Sequence, residues 1–397
     1  MLPTMSTSGP YTDHRVFFRS ATDLAEVADR SVDLIVTSPP YPMIGMWDEV
    51  FAEQRPEVAD ALAAGRGMGA FEAMHGLLDA VWRECRRVLA PGGFLCINIG
   101  DATRTVGSSF RLYPNHARVI SACSALDLEA LPSIVWRKTT NAPNKFMGSG
   151  TLPAGAYVTL EHEYVLVFRA GGPRRFAADD RGRRRESAYF WEERNVWFSD
   201  QWDLSGVRQS FGAVSPSRDP GRARSGAFPV ELAYRLICMY SAYGDTVLDP
   251  FLGTGTTTLA AIAAARNSVG FERDPRLAGA MDATVAAGCG VAPAAVSLDG
   301  QRDLDVPVPA EAPVNARVRR RLDDHRAAMA EYERNRGAPA THHHNRFDVP
   351  VVTRQETDIV LYGVQALALS GVGTKGVDDG AHDPARVYRA SHTAMSS

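Results

Sequence analysis

Apolar residues recur with two different periods along the first 170 positions of this chain. Short apolar runs predict strands at Val16–Phe18 and Val32–Thr37, the second (Val-Asp-Leu-Ile-Val-Thr) stopping at paired prolines. From Phe71 to Leu89 the spacing lengthens to three and four. Leu77, Leu78, Val81, Trp82, Cys85, Val88 and Leu89 then share one face of a predicted helix. Ala90-Pro91-Gly92-Gly93 breaks that helix before a strand at Phe94–Ile99. Pro114–Leu126 predicts a helix, and Leu131–Trp136 and Tyr164–Phe168 two more strands. Strand and helix alternating over this length predict an α/β fold with a doubly wound, mostly parallel sheet.

The rhythm lapses from Arg169 to about Gly226, where Arg, Gly, Ser and aromatics (Tyr189, Phe190, Trp191, Trp197, Trp202) dominate, as in an inserted, loop-rich lobe. It returns with a helix at Pro229–Tyr243, a strand at Thr246–Leu248, a helix at Thr256–Ala265 and a strand at Ser268–Phe271. After Gly290 come a Pro/Ala/Val linker, a charged helix at Ala316–Arg336, an extended piece at Phe347–Thr353 and a Gly-, Ala- and Ser-rich end expected to be disordered. The expected divisions are 13–170, 171–226, 227–290, a C-terminal extension at 291–372 and a tail at 373–397.

Composition adds limits. Of 397 residues, 45% are hydrophobic and 22% charged, which suits a soluble globular chain. No signal-peptide core or membrane-length apolar run appears, so a cytoplasmic setting away from membranes is expected. Cys85, Cys96, Cys123, Cys238 and Cys289 are scattered, fit a reducing compartment and lack metal-ligand spacing. His342-His343-His344 has no carboxylate or cysteine partner at ligand spacing either, so no metal site is expected. The net charge of -3 gives no overall pull towards nucleic acid. Between Arg174 and Arg224, however, eleven arginines stand against eight acids, with no lysine. The guanidinium fork suits phosphates and the guanine edge. The helix at Ala316–Arg336, with Arg317, Arg319, Arg320 and Arg321, reads equally as a DNA-backbone contact or as a solvated face packed through Val318, Leu322 and Met329.

Chemistry concentrates in two motifs. Asp249-Pro250-Phe251-Leu252-Gly253-Thr254-Gly255-Thr256-Thr257 joins a strand to a helix start. Its glycines allow a tight turn and close approach to a ligand, and the helix N-terminus favours an anion. A dinucleotide loop would carry a third glycine where Thr258 stands, which disfavours a nicotinamide-dependent oxidoreductase. The next strand, Val269-Gly270-Phe271-Glu272, ends in a carboxylate able to take both hydroxyls of a ribose. The second motif is Thr37-Ser38-Pro39-Pro40-Tyr41. Its prolines fix φ and remove two amide donors, leaving the carbonyls of Ser38 and Pro39 free beside an aromatic ring. With both motifs intact, a DNA-binding protein that has lost catalysis is the weaker reading.

Together the motifs resemble those of the β-group DNA amino-methyltransferases, in which the catalytic motif precedes the cofactor motif. The resemblance runs from about Arg15 to Asp274. It takes in Arg87-Val88-Leu89-Ala90-Pro91-Gly92-Gly93, His162-Glu163-Tyr164-Val165-Leu166-Val167-Phe168 and Phe228-Pro229-x-Glu231-Leu232. It implies a Rossmann-like methyltransferase fold of permuted motif order, with S-adenosylmethionine as cofactor. Asp249, Pro250, Phe251, Gly253, Thr254, Gly255 and Thr256 would hold its methionine end and Glu272 its ribose. Phe228 and Pro229 would line the same pocket. Two features depart from the family: Ser20, with Asp23 nearby, replaces the acid common after the first strand, and Ala227-Phe228-Pro229 replaces a His-Pro-Thr sequence, a variant familiar among cytosine-N4 members.

The implied reaction is site-specific methylation of double-stranded DNA at the N4 amino group of cytosine, with adenine N6 as the alternative. Ser-Pro-Pro-Tyr is usual in the cytosine enzymes and Asp-Pro-Pro-Tyr in the adenine enzymes. The base leaves the duplex. Tyr41 stacks on it, and Ser38 and the Pro39 carbonyl, in a turn stiffened by Pro40, accept the amino hydrogens while transfer proceeds in line. The chain has no Pro-Cys pair, as the thiolate mechanism of cytosine-C5 enzymes would need. The resemblance places sequence recognition at about Gly171 to Gly226. There Arg174, Arg175, Arg181, Arg183, Arg184 and Arg185 are expected DNA contacts, most of the Arg181–Arg185 group to phosphate, with Arg194 and Arg208 the likelier base readers. It also admits a cognate restriction endonuclease as a partner.

Overall fold

The computed structural model describes residues 11–138, 148–150, 152–189, 191–206, 228–289 and 385–391. Arg208, the Ala316–Arg336 helix, His342–His344 and the Phe347–Thr353 piece lie outside them. Strands β1 (Tyr11–Phe17) and β2 (Val32–Thr37) lead into helices α1 (Asp48–Gln54), α2 (Pro56–Ala63) and α3 (Gly67–Val88). α3 is the predicted amphipathic helix, burying Leu78, Val81, Trp82, Cys85 and Val88. α1 and α2 escape the apolar pattern because each is about two turns long and buries only Phe51 or Val58 and Ala61. Next come β3 (Leu89–Ile99), a hairpin of β4 (Ala102–Val106) and β5 (Ser109–Tyr113), α4 (Asn115–Ser124), β6 (Leu128–Arg137) and β7 (His162–Ala170). The expected break at Ala90–Gly93 falls inside β3, as a register shift in its pairing with β2.

The chain continues through α5 (Arg181–Glu186), α6 (Trp191–Trp197) and β8 (Gln201–Asp203). It then forms α7 (Val230–Tyr240), β9 (Thr246–Asp249), α8 (Thr256–Ala263), β10 (Asn267–Phe271) and α9 (Ala278–Cys289). β11 (Ala385–Ser391) pairs antiparallel with β1. It lies in the stretch expected to be disordered, where the β-formers Val387 and Tyr388 interrupt the Gly/Ala/Ser background.

Nine of these strands form one sheet in the order β11-β1-β10-β9-β2-β3-β7-β6-β8, and β4 and β5 pair separately. The five from β1 to β3 are mutually parallel, and β7 runs antiparallel to both β3 and β6. Each face carries its own core. Val81, Trp82 and Cys85 of α3 pack with Ile35, Leu95 and Leu248 on one side. Leu232 and Ile237 of α7 and Ala260 of α8 pack with Leu34, Val36 and Val247 on the other. Trp197 and Trp202 belong to this second core, and β8 hydrogen-bonds to β6. The described part of the expected inserted lobe is thus built onto the main sheet.

The chain leaves β2 over one face and β9 over the other, so the order of connection reverses between these neighbouring strands. In open α/β sheets such a switch point opens a crevice at the carboxyl ends of the strands, where ligands bind.

Candidate active site

β2 and β9 are joined in parallel register, Leu34 opposite Val247 and Ile35 opposite Leu248, so the two motifs emerge side by side from the same edge. One hydrogen bond to Asp249 then fixes them to each other, and two more shape the glycine turn. Asp249 accepts the Thr37 hydroxyl on Oδ1 at 2.6 Å, the Phe251 amide on the same oxygen at 3.0 Å and the Thr257 hydroxyl on Oδ2 at 2.5 Å. Burial nevertheless pushes its pKa up to about 6. With its oxygens so engaged, Asp249 shapes the loop as much as it faces a ligand.

Gly255, with φ +88°, is the N-cap of α8, and a Cβ there would lie 2.7 Å from Met281 Cγ. Gly253 also has positive φ, +57°, but a Cβ there would meet nothing closer than the Phe251 carbonyl at 4.0 Å. The first glycine is therefore open towards the cleft, while the second is needed for packing. Across the turn, the Glu272 carboxylate accepts the amides of Gly253 and Asp274, each at 2.8 Å. Burial raises its pKa to about 7.

These groups border a cleft of about 800 Å³, a volume suited to a small-molecule site. Its walls include Ser38, Pro39, Pro40, Tyr41, Phe228, Asp249, Pro250, Phe251, Gly253, Thr254, Thr256 and Glu272. Pro229 and Gly255 are not part of the wall; Pro229 is instead the N-cap of α7. Ser20 and Arg19 line the cleft, and Asp23, which does not, pairs with Arg19. The structure adds Ile44, Trp47, Leu77, Val81, Glu163 and Arg273 to the wall. Of these, Leu77 and Val81 were legible only as positions on an apolar helix face.

Sequence reasoning also missed a polar cluster behind Tyr41. The Tyr41 hydroxyl donates to Glu163 Oε2 at 2.8 Å and lies 3.0 Å from Ser38 Oγ. Asn98 Nδ2 donates to both Tyr41 Oη and Glu163 Oε2 at 2.7 Å, and Lys138 Nζ pairs with Glu163 Oε1. The β3–β7 pairing brings Asn98 and Glu163 together at the carboxyl edge. Gly100 makes room: a Cβ there would sit 3.1 Å from Tyr41 Cε2 and 3.2 Å from Glu163 Cγ.

The DNA methylase family, comprising N6 and N4 amino-methyltransferases, matches the chain over residues 32–281. The Type II methyltransferase M.MthZI of Methanothermobacter thermautotrophicus is 46% identical over 88% of this chain and 90% of its own length. The chain belongs to this family. A second relative, the Type II methyltransferase M.MjaI of Methanocaldococcus jannaschii, is 47% identical over 67% of this chain and 89% of its own. Among solved structures, a candidate DNA modification methylase of Thermus thermophilus, complexed with S-adenosyl-L-methionine, is 31% identical. It covers 69% of this chain and 94% of its own, with a TM-score of 0.53.

For a DNA methylase the placement of the arginines matters, and two of them are paired with a buried aspartate. Arg174 pairs with Asp33 at 3.1 Å and Asp245 at 2.6 Å; Arg183 pairs with Asp245 at 2.6 Å and donates to the Tyr243 carbonyl at 2.7 Å. Asp33 and Asp245 lie where β2 and β9 begin, about 16 Å along the strand from Ser38 at roughly 3.3 Å per residue. The buried Asp245 carboxylate, with a side chain only 2% exposed, accounts for these two arginines. Both arginines, expected to contact DNA, are thus already paired with carboxylates here. Arg184 stacks over Phe176 at 4.9 Å, Arg194 lies over Phe198 at 5.6 Å, Arg175 and Arg181 are exposed, and Arg185 lies on α5.

Proposed function

We propose that this methylase transfers a methyl group from S-adenosylmethionine to the N4 amino group of cytosine in duplex DNA. The observation that carries the reading is the Thr37–Asp249–Thr257 tie, which holds Ser38-Pro39-Pro40-Tyr41 against the glycine turn at one cleft. The residues present suit the cofactor. Gly253 leaves backbone open to the cleft, a buried carboxylate stands opposite, and Phe251, Leu78 and Val81 supply apolar wall. Phe251, Gly253, Thr254 and Thr256 would hold the methionine end, Glu272 the ribose hydroxyls, and Phe228 the neighbouring wall. When bound, S-adenosylmethionine supplies an electrophilic methyl group on a sulfonium.

The chain's own residues deal with the base. A nucleobase amino group is a weak nucleophile because its lone pair is delocalised into the ring, and inside a duplex it is out of reach. Tyr41 stacks on the extruded base. Ser38 Oγ and the Pro39 carbonyl accept the two amino hydrogens, drawing the nitrogen towards sp³ and aiming its lone pair along the line of transfer. Serine at position 38, rather than aspartate, favours cytosine over adenine. The names of the relatives support a place beside a restriction endonuclease of the same specificity. Sequence recognition falls to residues 171–226, where Arg174 and Arg183 pair with Asp245 while Arg175, Arg181 and Arg184 are exposed.

Mass spectrometry of digested DNA from cells expressing the protein tests the reading. N4-methylcytosine is the expected product; N6-methyladenine alone would overturn the choice of base and put the adenine reading in its place.

A further inference from the structure

The cluster behind Tyr41 settles a question that a serine poses and an aspartate would not. A hydroxyl can donate or accept, and only an acceptor helps an amino group lose its hydrogens. Tyr41 has one proton and two lone pairs. Glu163, whose other oxygen is paired with Lys138, is an acceptor, so it takes the Tyr41 proton. Asn98 presents nitrogen rather than oxygen to the cluster, because its amide also faces the Glu163 carboxylate; it fills one lone pair of Tyr41. The remaining lone pair faces Ser38 Oγ at 3.0 Å, a contact that is attractive only if Ser38 donates. With its proton so occupied, Ser38 has only lone pairs left for the cleft.

We propose that Glu163, Asn98 and Lys138 act through Tyr41 as a proton-orienting relay that makes Ser38 a one-way acceptor for the amino group of the target base. The inference rests on the role given to Ser38 above and deepens it. The relay gives serine the hydrogen-bonding polarity of a carboxylate without its charge. Three features support it beyond the distances. Asn98 is 2% exposed and the Glu163 side chain 13%, so water competes little for these protons. Lys138 Nζ is held 4.3 Å from the centroid of the Trp136 ring as well as on Glu163, which fixes the donor on the second Glu163 oxygen. Burial and the charge of Glu163 also push the Tyr41 phenol well above its ordinary pKa, so its proton stays in place through the working range. These are positioning residues: none of the three needs to touch the base.

The test is a double-mutant cycle between positions 163 and 38, using tritiated cofactor and unmethylated genomic DNA. In Glu163→Leu, Asn98 still donates to Tyr41, whose proton must turn to Ser38, and the Ser38 proton then points at the base. The relay predicts kcat down by about tenfold or more, with cofactor affinity by calorimetry within about threefold of wild type. Tyr41→Phe makes the same test while leaving Glu163 in place. An aspartate accepts whichever way Tyr41 points. In a Ser38→Asp background, Glu163→Leu should therefore cost less than about threefold or restore activity. Equal losses in both backgrounds, or no loss with Ser38 present, would overturn the relay. If Ser38→Ala alone keeps full activity, the acceptor role of Ser38 itself fails; if Ser38→Ala is impaired but Glu163→Leu and Tyr41→Phe are not, only the relay fails.

Discussion

The Thr37 hydroxyl donates to Asp249 Oδ1 across 2.6 Å and 212 positions of sequence. The bond closes the switch point: one partner ends the strand that carries Ser38 and the other ends the strand that carries the glycine turn. Thr37→Val keeps the shape and removes the donor, leaving Asp249 Oδ1 with only the Phe251 amide. A buried charged acceptor that loses one partner costs about 1–3 kcal/mol, and the Asp249 pKa should rise above its present value of about 6. Urea unfolding at mildly alkaline pH reads the loss. An unchanged midpoint would mean that water or a neighbour replaces the threonine and that the tie is dispensable.

The two glycines of the turn should separate in their effects. Gly255→Ala places a methyl group 2.7 Å from Met281 Cγ at φ +88°, so it should lower stability by about 1–3 kcal/mol. Gly253→Ala adds a methyl group into open space at φ +57°. It should cost only about 1–2 kcal/mol of fold through its backbone conformation while lowering cofactor affinity sharply. Thermal unfolding without ligand, set beside calorimetric titration of S-adenosylmethionine, compares them. Equal cofactor affinity in wild type and Gly253→Ala would remove this turn from the cofactor site.

With Glu272 holding the ribose as proposed, cofactor binding should depend on pH. Its pKa near 7, raised from an ordinary 4.5 by burial, leaves the acid form dominant in the free protein below that value. A carboxylate accepts both ribose hydroxyls, whereas the acid form keeps a donor of its own. Affinity should therefore rise with pH through about 7 and level off above it, with Asp249 adding a lower step near 6. In Glu272→Gln, affinity should fall overall and only the lower step should remain. A flat wild-type profile across both steps would separate Glu272 from the ribose.

Much of this was legible in the chain because the two motifs sit at strand ends and strands are short. A continuous apolar run such as Val32–Thr37 predicts both the element and the place where its chemistry emerges. What escaped had no local signature. Glu163 is part of a recognisable strand sequence, but its role arises only when β7 lies antiparallel to β3 and sets it beside Asn98. α9 escaped because Ala278–Cys289 is rich in small residues and has no apolar stripe. The ion pairs of the arginine cluster were hidden for a related reason. Composition registers charge but not its partner, and the partner of Arg174 and Arg183 is a buried aspartate some sixty to seventy positions away.

That partner yields the last prediction. Asp245 accepts two bonds from Arg174, one from Arg183 and one from the Ala242 amide, and these hold its pKa below the usual carboxylate value despite burial. Removing either arginine leaves a buried carboxylate short of donors, which for a fully buried pair costs about 3–5 kcal/mol. Here the arginine side chains are 23% and 31% exposed, so about 1–3 kcal/mol is expected for each. Because Asp245 stays ionised through these contacts, the stability they give should be lost as pH falls through its lowered pKa. DNA binding should behave oppositely. Neither Arg174→Ala nor Arg183→Ala should change the slope of log affinity against log salt, since neither releases counterions from phosphate. Arg208→Ala should cost roughly 1–3 kcal/mol of binding on the cognate site alone. Unfolding curves and a salt series on cognate and scrambled duplexes give both readouts. If Arg183→Ala flattens the salt slope by about one unit without loss of stability, the pairing with Asp245 gives way to phosphate when DNA binds, and the basic surface at the amino edge of the sheet returns to the recognition face.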